Sequence, residues 1–208
     1  MKVRELTFAV CGILLLAGLS AAQDPKPAEK PAAPPAMSAE EKAMMEAWQK
    51  FATPAEGHQA LADMAGTWDA EVTSWMSPNQ PPMKSKGTAE NRLVLGGRFI
   101  EQRFKGDMMG QPFEGLGYTG YDNYKKKYIG TWMDNMSTAV MVSEGTVDAS
   151  GKVMTSTSTM DDFMTGKQAK IRMVSTEVGP DESLFEMFGP DPSGKEVKQM
   201  EIRYKRRK

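Results

Sequence analysis

The sequence predicts an all-β protein, an antiparallel up-and-down barrel of about ten strands preceded by one or two short helices. From Thr67 onward, apolar and polar residues alternate with a period of two, which is typical of half-buried strands. Glycine-bearing turns such as Asp148-Ala149-Ser150-Gly151 separate these runs, which is typical of hairpins. A meander of this length must close, or divide into two sheets, to remove its exposed edges.

The first segment, residues 1–22, has the pattern of a secretory signal peptide. Two basic residues precede the apolar run Leu6–Leu19, and Ser20-Ala21-Ala22 supplies a small-x-small cleavage site. The run has 14 residues, fewer than the roughly 20 that span a bilayer, which disfavours the alternative of a retained anchor. The sequence therefore predicts a secreted or periplasmic protein, cleaved near Ala22, with no stable membrane span afterwards.

Composition excludes several classes of function. The net charge of −1 gives no electrostatic footprint for nucleic acid. Cys11, the only cysteine, lies in the predicted signal peptide, so no disulfide is expected. The only histidine, His58, disfavours a histidine-ligated haem or zinc site. Methionine is abundant and can bind Cu(I), but it more often fills irregular cores, so we predict neither a cofactor nor a metal site.

Residues 23–37 are rich in proline, alanine and charge, which predicts a disordered linker. Helices are predicted over residues 38–65. The first begins at a capping box formed by Ser38 and Glu41. Its apolar residues recur at helical spacing, and we expect this stripe to pack on the barrel. The stripe comprises Met44, Met45, Trp48 and Phe51.

The second helix is predicted from Pro54 to Met64. Thr53 suits its N-cap position, and Pro54 suits the first helical position, where its missing amide hydrogen costs nothing. Gly66 ends the helix.

The barrel domain is predicted over residues 66–208. Its strands are predicted at 67–76, 84–95, 97–105, 112–121, 126–134, 137–147, 152–160, 168–178, 183–189 and 196–206. In the first strand Trp68, Ala70, Val72 and Met76 share one face, and Leu93 and Leu95 share a face in the second. Residues 152–160 are polar on both faces, which a barrel with a partly polar interior tolerates better than a packed sandwich does.

Gly66-Thr67-Trp68 opens the first strand directly after a helix, and this triplet resembles the Gly-x-Trp opening of the calycin barrels, the lipocalins and fatty-acid-binding proteins. In lipocalins a basic residue of the last strand stacks on that tryptophan. The resemblance implies that Arg203 or Lys205 makes the same cation–π contact here. Gly66, Trp68 and Arg203 are therefore the predicted structural residues.

A longer set of motifs resembles a bacterial secreted family catalogued only as a domain of unknown function. The motifs are Leu95-Gly96-Gly97-Arg98-Phe99, Gly110-Gln111-Pro112-Phe113-Glu114-Gly115, Gly120-Tyr121-Asp122, Trp132-Met133-Asp134 and Gly145-x-x-Asp148. The resemblance runs from about His58 to Arg206 and implies a calycin-like barrel. It brings no activity, substrate or catalytic residue.

The function predicted is non-catalytic binding of a small hydrophobic or amphipathic molecule in the barrel. The residues expected to line the cavity are Arg98, Tyr121, Trp132, Asp134 and Glu144. One alternative is an enzyme that acts through Arg98, Asp134 and Glu144, which requires these side chains to converge within a polar cavity. A second is a cell-envelope assembly protein that docks through the N-terminal helix. Asp122 is interpreted as a turn residue, and the oligomeric state is left open.

Overall fold

The computed structural model describes residues 37–77, 80–162 and 165–208. The predicted signal peptide and nearly all of the predicted linker lie outside these residues. Helices α1 (Ala39–Ala52) and α2 (Glu56–Asp63) come first. The strands that follow are β1 (Gly66–Ser74), β2 (Met83–Val94), β3 (Phe99–Met108), β4 (Gln111–Asp122), β5 (Lys127–Asp134), β6 (Met141–Val147), β7 (Val153–Asp161), β8 (Gln168–Gly179), β9 (Glu182–Pro190) and β10 (Glu196–Arg206). Neither helix has the length and apolar character that crossing a membrane requires.

The ten strands form one closed antiparallel barrel. Each strand pairs with its neighbours in sequence, and β10 closes the barrel on β1 in a register that sets Arg206 opposite Trp68. Closure leaves none of these strands with an unpaired edge. The predicted all-β, up-and-down barrel with short preceding helices is confirmed.

The strand boundaries depart from prediction where turns hold the chain away from the sheet. Strand β6 begins at Met141 rather than at residue 137. The preceding loop is tied to β4, because the Asn135 side chain accepts from the Glu114 amide at 3.0 Å and donates to the Pro112 carbonyl at 3.0 Å. Leu95, expected to share a face with Leu93, instead has φ 51° in the turn after β2 and is 72% exposed. Met76, expected on the face of Trp68, lies beyond the end of β1 at Ser74 and is exposed.

The start of the second helix also differs from prediction. Helix α2 begins at Glu56 with Ala55 as its N-cap. The Thr53 hydroxyl donates to the Gln49 carbonyl of α1 at 2.7 Å, so it finishes the first helix instead of capping the second. His58 Nδ1 accepts from the Ala55 amide at 3.0 Å, and this bond satisfies an amide at the start of α2.

Helix α2 defines one end of the barrel, which we call the helix end, and the opposite end is the far end. Two clusters of buried residues lie in the interior. The larger comprises Trp68, Ala70, Val72, Ala89, Phe104 and Ile202. In the smaller, Leu61 of α2 packs on Ile100 and Tyr128. The Tyr128 hydroxyl donates to the Gly57 carbonyl at 3.0 Å, which joins α2 to the barrel wall.

The apolar stripe of α1 does not pack on the barrel, contrary to the sequence-based expectation. None of the α1 residues is buried. The exposed fractions of Met44, Met45, Trp48 and Phe51 are 69%, 53%, 62% and 51%. The alternative of an assembly protein that docks through the N-terminal helix requires that this apolar stripe be exposed. The helix is held at its C-terminal end, where Arg98 and Asn123 bind its last carbonyls.

Candidate ligand site in the barrel lumen

One side of the barrel interior is built from small residues. Thr119, Gly130, Ser143 and Ser158 are consecutive cross-strand partners on β4, β5, β6 and β7. The Ser158 hydroxyl donates to the Val142 carbonyl at 2.7 Å, so its polar atom is satisfied by the wall itself. These positions therefore contribute little side-chain volume to the lumen, meaning the volume inside the ten strands.

The large aromatic rings of the interior lie along the wall. The Phe104 ring occupies the space where a side chain at Gly87 would lie, and the Trp132 ring does the same at Gly115. Each glycine lies on a strand adjacent to that of the aromatic residue. These glycines therefore let the two rings lie against neighbouring strands.

Several apolar side chains that face the larger core cluster are only partly buried. They are Phe113, Trp132, Phe185, Met200 and Tyr204. An inward side chain keeps accessible surface when solvent-sized space adjoins it, so the lumen is not completely filled near these residues. Partial withdrawal from water raises the pKa of the Tyr204 hydroxyl.

Of the five residues expected to line a cavity, Trp132 and Asp134 are brought together by direct contact. Trp132 Nε1 donates to Asp134 Oδ2 at 3.1 Å. Asp134 Oδ1 accepts from the Met136 amide at 3.0 Å, which begins the loop after β5. The indole lies against Gly115 and Gly117, so this pair is on the lumen side of β4 and β5 toward the far end.

Arg98 does not reach the lumen. Its Nε and Nη2 donate to the Ala52 carbonyl at 3.1 and 2.8 Å, and the residue is exposed. Gly96 and Gly97, both with positive φ, form the turn that carries Arg98 toward α1. A guanidinium at the last carbonyl of α1 compensates the negative end of the helix dipole. The residue expected to bind a ligand instead anchors α1.

Glu144 faces outward on β6. Its carboxylate lies 3.5 Å from Lys125 Nζ and 3.1 Å from Lys127 Nζ. The hydrogen bond from Lys127 and the two positive charges lower the pKa of the Glu144 carboxyl. Arg98, Asp134 and Glu144 thus lie in three separate settings, and the convergence that the enzyme hypothesis requires is not formed.

Tyr121 is part of the helix-end packing. Its ring makes edge-on contacts with His58 and Tyr128, with centroid distances of 5.8 and 5.0 Å. The ring also covers Gly57 of α2, where a side chain would collide with it. The next residue, Asp122, accepts from the amides of Tyr124 and Lys125 at 2.8 and 2.9 Å, so its interpretation as a turn residue is confirmed.

The tryptophan of the first strand carries a stacked cation, but a different one from that expected. Arg206 Cζ lies 4.1 Å from the Trp68 ring centroid, whereas Arg203 faces outward and pairs with Glu201 at 3.1 Å. Arg206 Nη2 also donates to the Asp63 carbonyl at 2.7 Å. Gly66 has φ 126°, and a side chain there would meet the Arg206 guanidinium.

Comparison with known sequences identifies the family. The sequence matches the family described as protein of unknown function (DUF1579) over residues 53–206. The chain belongs to the DUF1579 family. No match is found among curated proteins.

Solved structures with little sequence identity resemble this DUF1579 barrel. Rv2717c from M. tuberculosis is 15% identical with a TM-score of 0.57, over 75% of this chain and 100% of that chain. A de novo designed fluorescence-activating β-barrel is 17% identical with a TM-score of 0.41, over 71% of this chain and 97% of that chain. At these identities the first likeness shows the fold alone. The lipocalin resemblance stays a prediction.

A buried carboxylate on the outer wall of the DUF1579 barrel was not anticipated. The Glu101 side chain is 6% exposed and accepts from Arg92 Nη2 at 2.7 Å, Arg103 Nε at 2.8 Å and the Tyr118 hydroxyl at 2.6 Å. Hydrogen bonds from Tyr118, Arg103 and Arg92 hold its pKa at about 2. The cross-strand register creates this cluster, so spacing along the sequence gave no signal for it.

We expect Glu101→Gln to destabilise the protein at neutral pH, because it removes the charge that three donors surround. The folded-state pKa is about 2 and the ordinary value is 4.5. The stabilisation from ionised Glu101 is therefore fully present above the ordinary pKa and is lost as the pH falls toward the folded value. Thermal denaturation across this range should show the difference in Tm between wild type and variant shrinking as acid is added.

The matched control is Glu114→Gln. Glu114 is 66% exposed and lies 3.7 Å from Lys105, so its replacement should leave Tm nearly unchanged. A difference between Glu101→Gln and wild type that stays constant down to the lowest pH would contradict the pairing of Glu101.

An open groove of about 640 Å³ lies outside the barrel near the loop after β1. Trp75, Pro82, Lys84, Lys86 and Arg203 contribute to its walls. Cations and carboxylates alternate along it, and its floor is the outer face of β1 and β2. Within the described ranges, no group of three or more His, Cys, Asp or Glu residues is placed to hold a metal ion.

Proposed function

We propose that this DUF1579 protein binds a small, partly apolar molecule inside its barrel, without catalysing a reaction. The observation that carries the proposal is the arrangement of the inner wall. Phe104 and Trp132 lie against glycines, small residues line β4 to β7, and inward apolar side chains keep accessible surface. Pockets of this composition, mostly apolar with a few polar groups, are typical of small-molecule sites.

We also propose that the protein acts outside the cytoplasm. The support is the pattern of residues 1–22, a basic start followed by an apolar run and a small-x-small site. N-terminal sequencing of the protein isolated from its host checks this, since a mature chain should begin near Gln23, whereas an intact Met1 contradicts cleavage.

A substitution that fills the lumen tests the binding proposal. Ser143 points inward opposite Gly130, so Ser143→Trp places an indole in the space assigned to the ligand. With Nile red as a neutral apolar probe, we expect wild type to bind and enhance its fluorescence. The variant should bind about tenfold more weakly, because the ring occupies the volume in which apolar surface would be buried.

The matched control is Val142→Trp on the same strand. Val142 is 55% exposed and faces outward, so the added ring should leave probe affinity unchanged. If Ser143→Trp loses the barrel circular-dichroism signature, Ser143→Leu supplies a smaller obstruction. Equal probe binding by the inward and outward variants, with both folded, would refute a site in the lumen.

A further inference from the structure

The part of the lumen beyond the helix end carries a single formal charge among the described strand residues that face inward, and it is the carboxylate of Asp134. Inward positions follow from strand pairing, since cross-strand partners point to the same side of a sheet. The other charged side chains of these strands occupy outward positions or lie at the helix end, where Arg206 stacks on Trp68.

Asp134 receives hydrogen bonds from neutral donors. They are the Trp132 indole and the Met136 amide, at 3.1 and 3.0 Å. Among the described residues, no lysine or arginine forms an ion pair with it, although other carboxylates of the barrel, such as Glu101 and Glu144, have one. Asp134 is half-buried and keeps its negative charge on the lumen side of the wall, so a bound cation would supply the opposite charge that the protein does not.

The surfaces around Asp134 also suit a cation with an apolar body. Trp132 presents an indole face, which is the best aromatic partner for a cation, and its hydrogen bond to a carboxylate polarises the ring favourably. Met141 is the cross-strand partner of Trp132, and elsewhere in the lumen Met187 and Met200 are paired on β9 and β10. Unbranched methionines adapt to apolar groups of different shape.

We infer that the ligand of the lumen is a small organic cation, an alkyl- or arylammonium whose head lies against Asp134 and Trp132. This inference rests on the proposed lumen site and adds the charge of the ligand to it. A neutral or anionic ligand would leave the Asp134 carboxylate uncompensated or would be repelled by it.

Three probes that share a hexyl group and differ in the charge of their head group test this inference. They are hexyltrimethylammonium, hexanol and hexanesulfonate. Titration calorimetry should show that wild type binds the ammonium about tenfold more tightly than the alcohol, and the sulfonate most weakly. Asp134→Asn should abolish the preference for the ammonium over the alcohol. Asparagine removes the charge and still suits the turn into Met136.

Asp107→Asn is the matched control. Asp107 is an exposed, outward carboxylate at the same end of the barrel, and its Oδ1 accepts from the Gly110 amide at 2.9 Å. The Asp107→Asn variant loses one negative charge, as Asp134→Asn does, and should retain the preference for the ammonium probe. Loss of the preference in both variants would assign it to the general field of the protein and overturn the role of Asp134.

The remaining outcomes separate this inference from the proposed function. Wild type could bind all three probes with equal affinity, and Ser143→Trp could weaken that binding. This result would overturn the inference that the ligand is a cation, and it would still support a binding site in the lumen. Absence of binding by every probe, together with no effect of Ser143→Trp on Nile red, would overturn both.

Discussion

Trp68→Ala is expected to lower the free energy of unfolding by about 3–5 kcal/mol, the range for removing a buried aromatic side chain. Trp68 is 7% exposed and belongs to the larger core cluster. Its Nε1 donates to the Met64 carbonyl at 3.0 Å, and Arg206 stacks on its ring. The substitution therefore leaves a cavity and a guanidinium without its aromatic partner. The Met64 carbonyl loses one of its two donors and keeps the other, Asn91 Nδ2, at 3.0 Å. Urea denaturation followed by circular dichroism measures the effect.

Trp48→Ala removes the same side chain from α1, where it is 62% exposed. We expect this control to change the free energy of unfolding by about 0.5 kcal/mol or less, as for most surface substitutions. Similar losses at both positions would mean that α1 packs on a surface in solution and that the exposed stripe is covered there.

The identity of the stacked cation illustrates what sequence reasoning can and cannot supply. Arg203 and Lys205 were expected because both lie in the last strand, yet Ile202 and Tyr204 share the inward phase of a period-two pattern, and Arg206 continues that phase. The alternation of inward and outward side chains along the last strand therefore favours Arg206 over Arg203 and Lys205. The same alternation along β5 places Trp132 and Asp134 on one face, as the structure does.

Other positions depended on information that the sequence does not contain. Glu101 meets Arg92 and Tyr118 only because β2, β3 and β4 pair in one particular register. Arg98 reaches the Ala52 carbonyl across 46 positions of chain, a contact set by where α1 ends on the barrel. The strands themselves were predictable, because the alternation of apolar and polar residues and the turn residues are local features of the sequence. These contacts form only when the strands pair and the barrel closes.

Leu61→Ala is expected to lower the free energy of unfolding by about 3 kcal/mol, within the range for removing a buried leucine side chain. Leu61 is 1% exposed and is the α2 residue that packs on Ile100 and Tyr128 of the barrel. Gln59→Ala on the exposed face of the same helix is the control, and it should change stability by less than about 0.5 kcal/mol. The comparison separates burial from helix propensity, because both substitutions introduce alanine into α2.

The Leu61 variant also tests whether α2 is an integral part of the barrel. If α2 and the strands unfold as one unit, near- and far-ultraviolet signals of Leu61→Ala should shift together to lower denaturant. If α2 only rests on a self-sufficient barrel, the helix would detach first and the strand signal would keep the wild-type midpoint. We expect the coincident shift, because Tyr128 and Ile100 of the wall complete their packing on Leu61 and the Tyr128 hydroxyl depends on the Gly57 carbonyl.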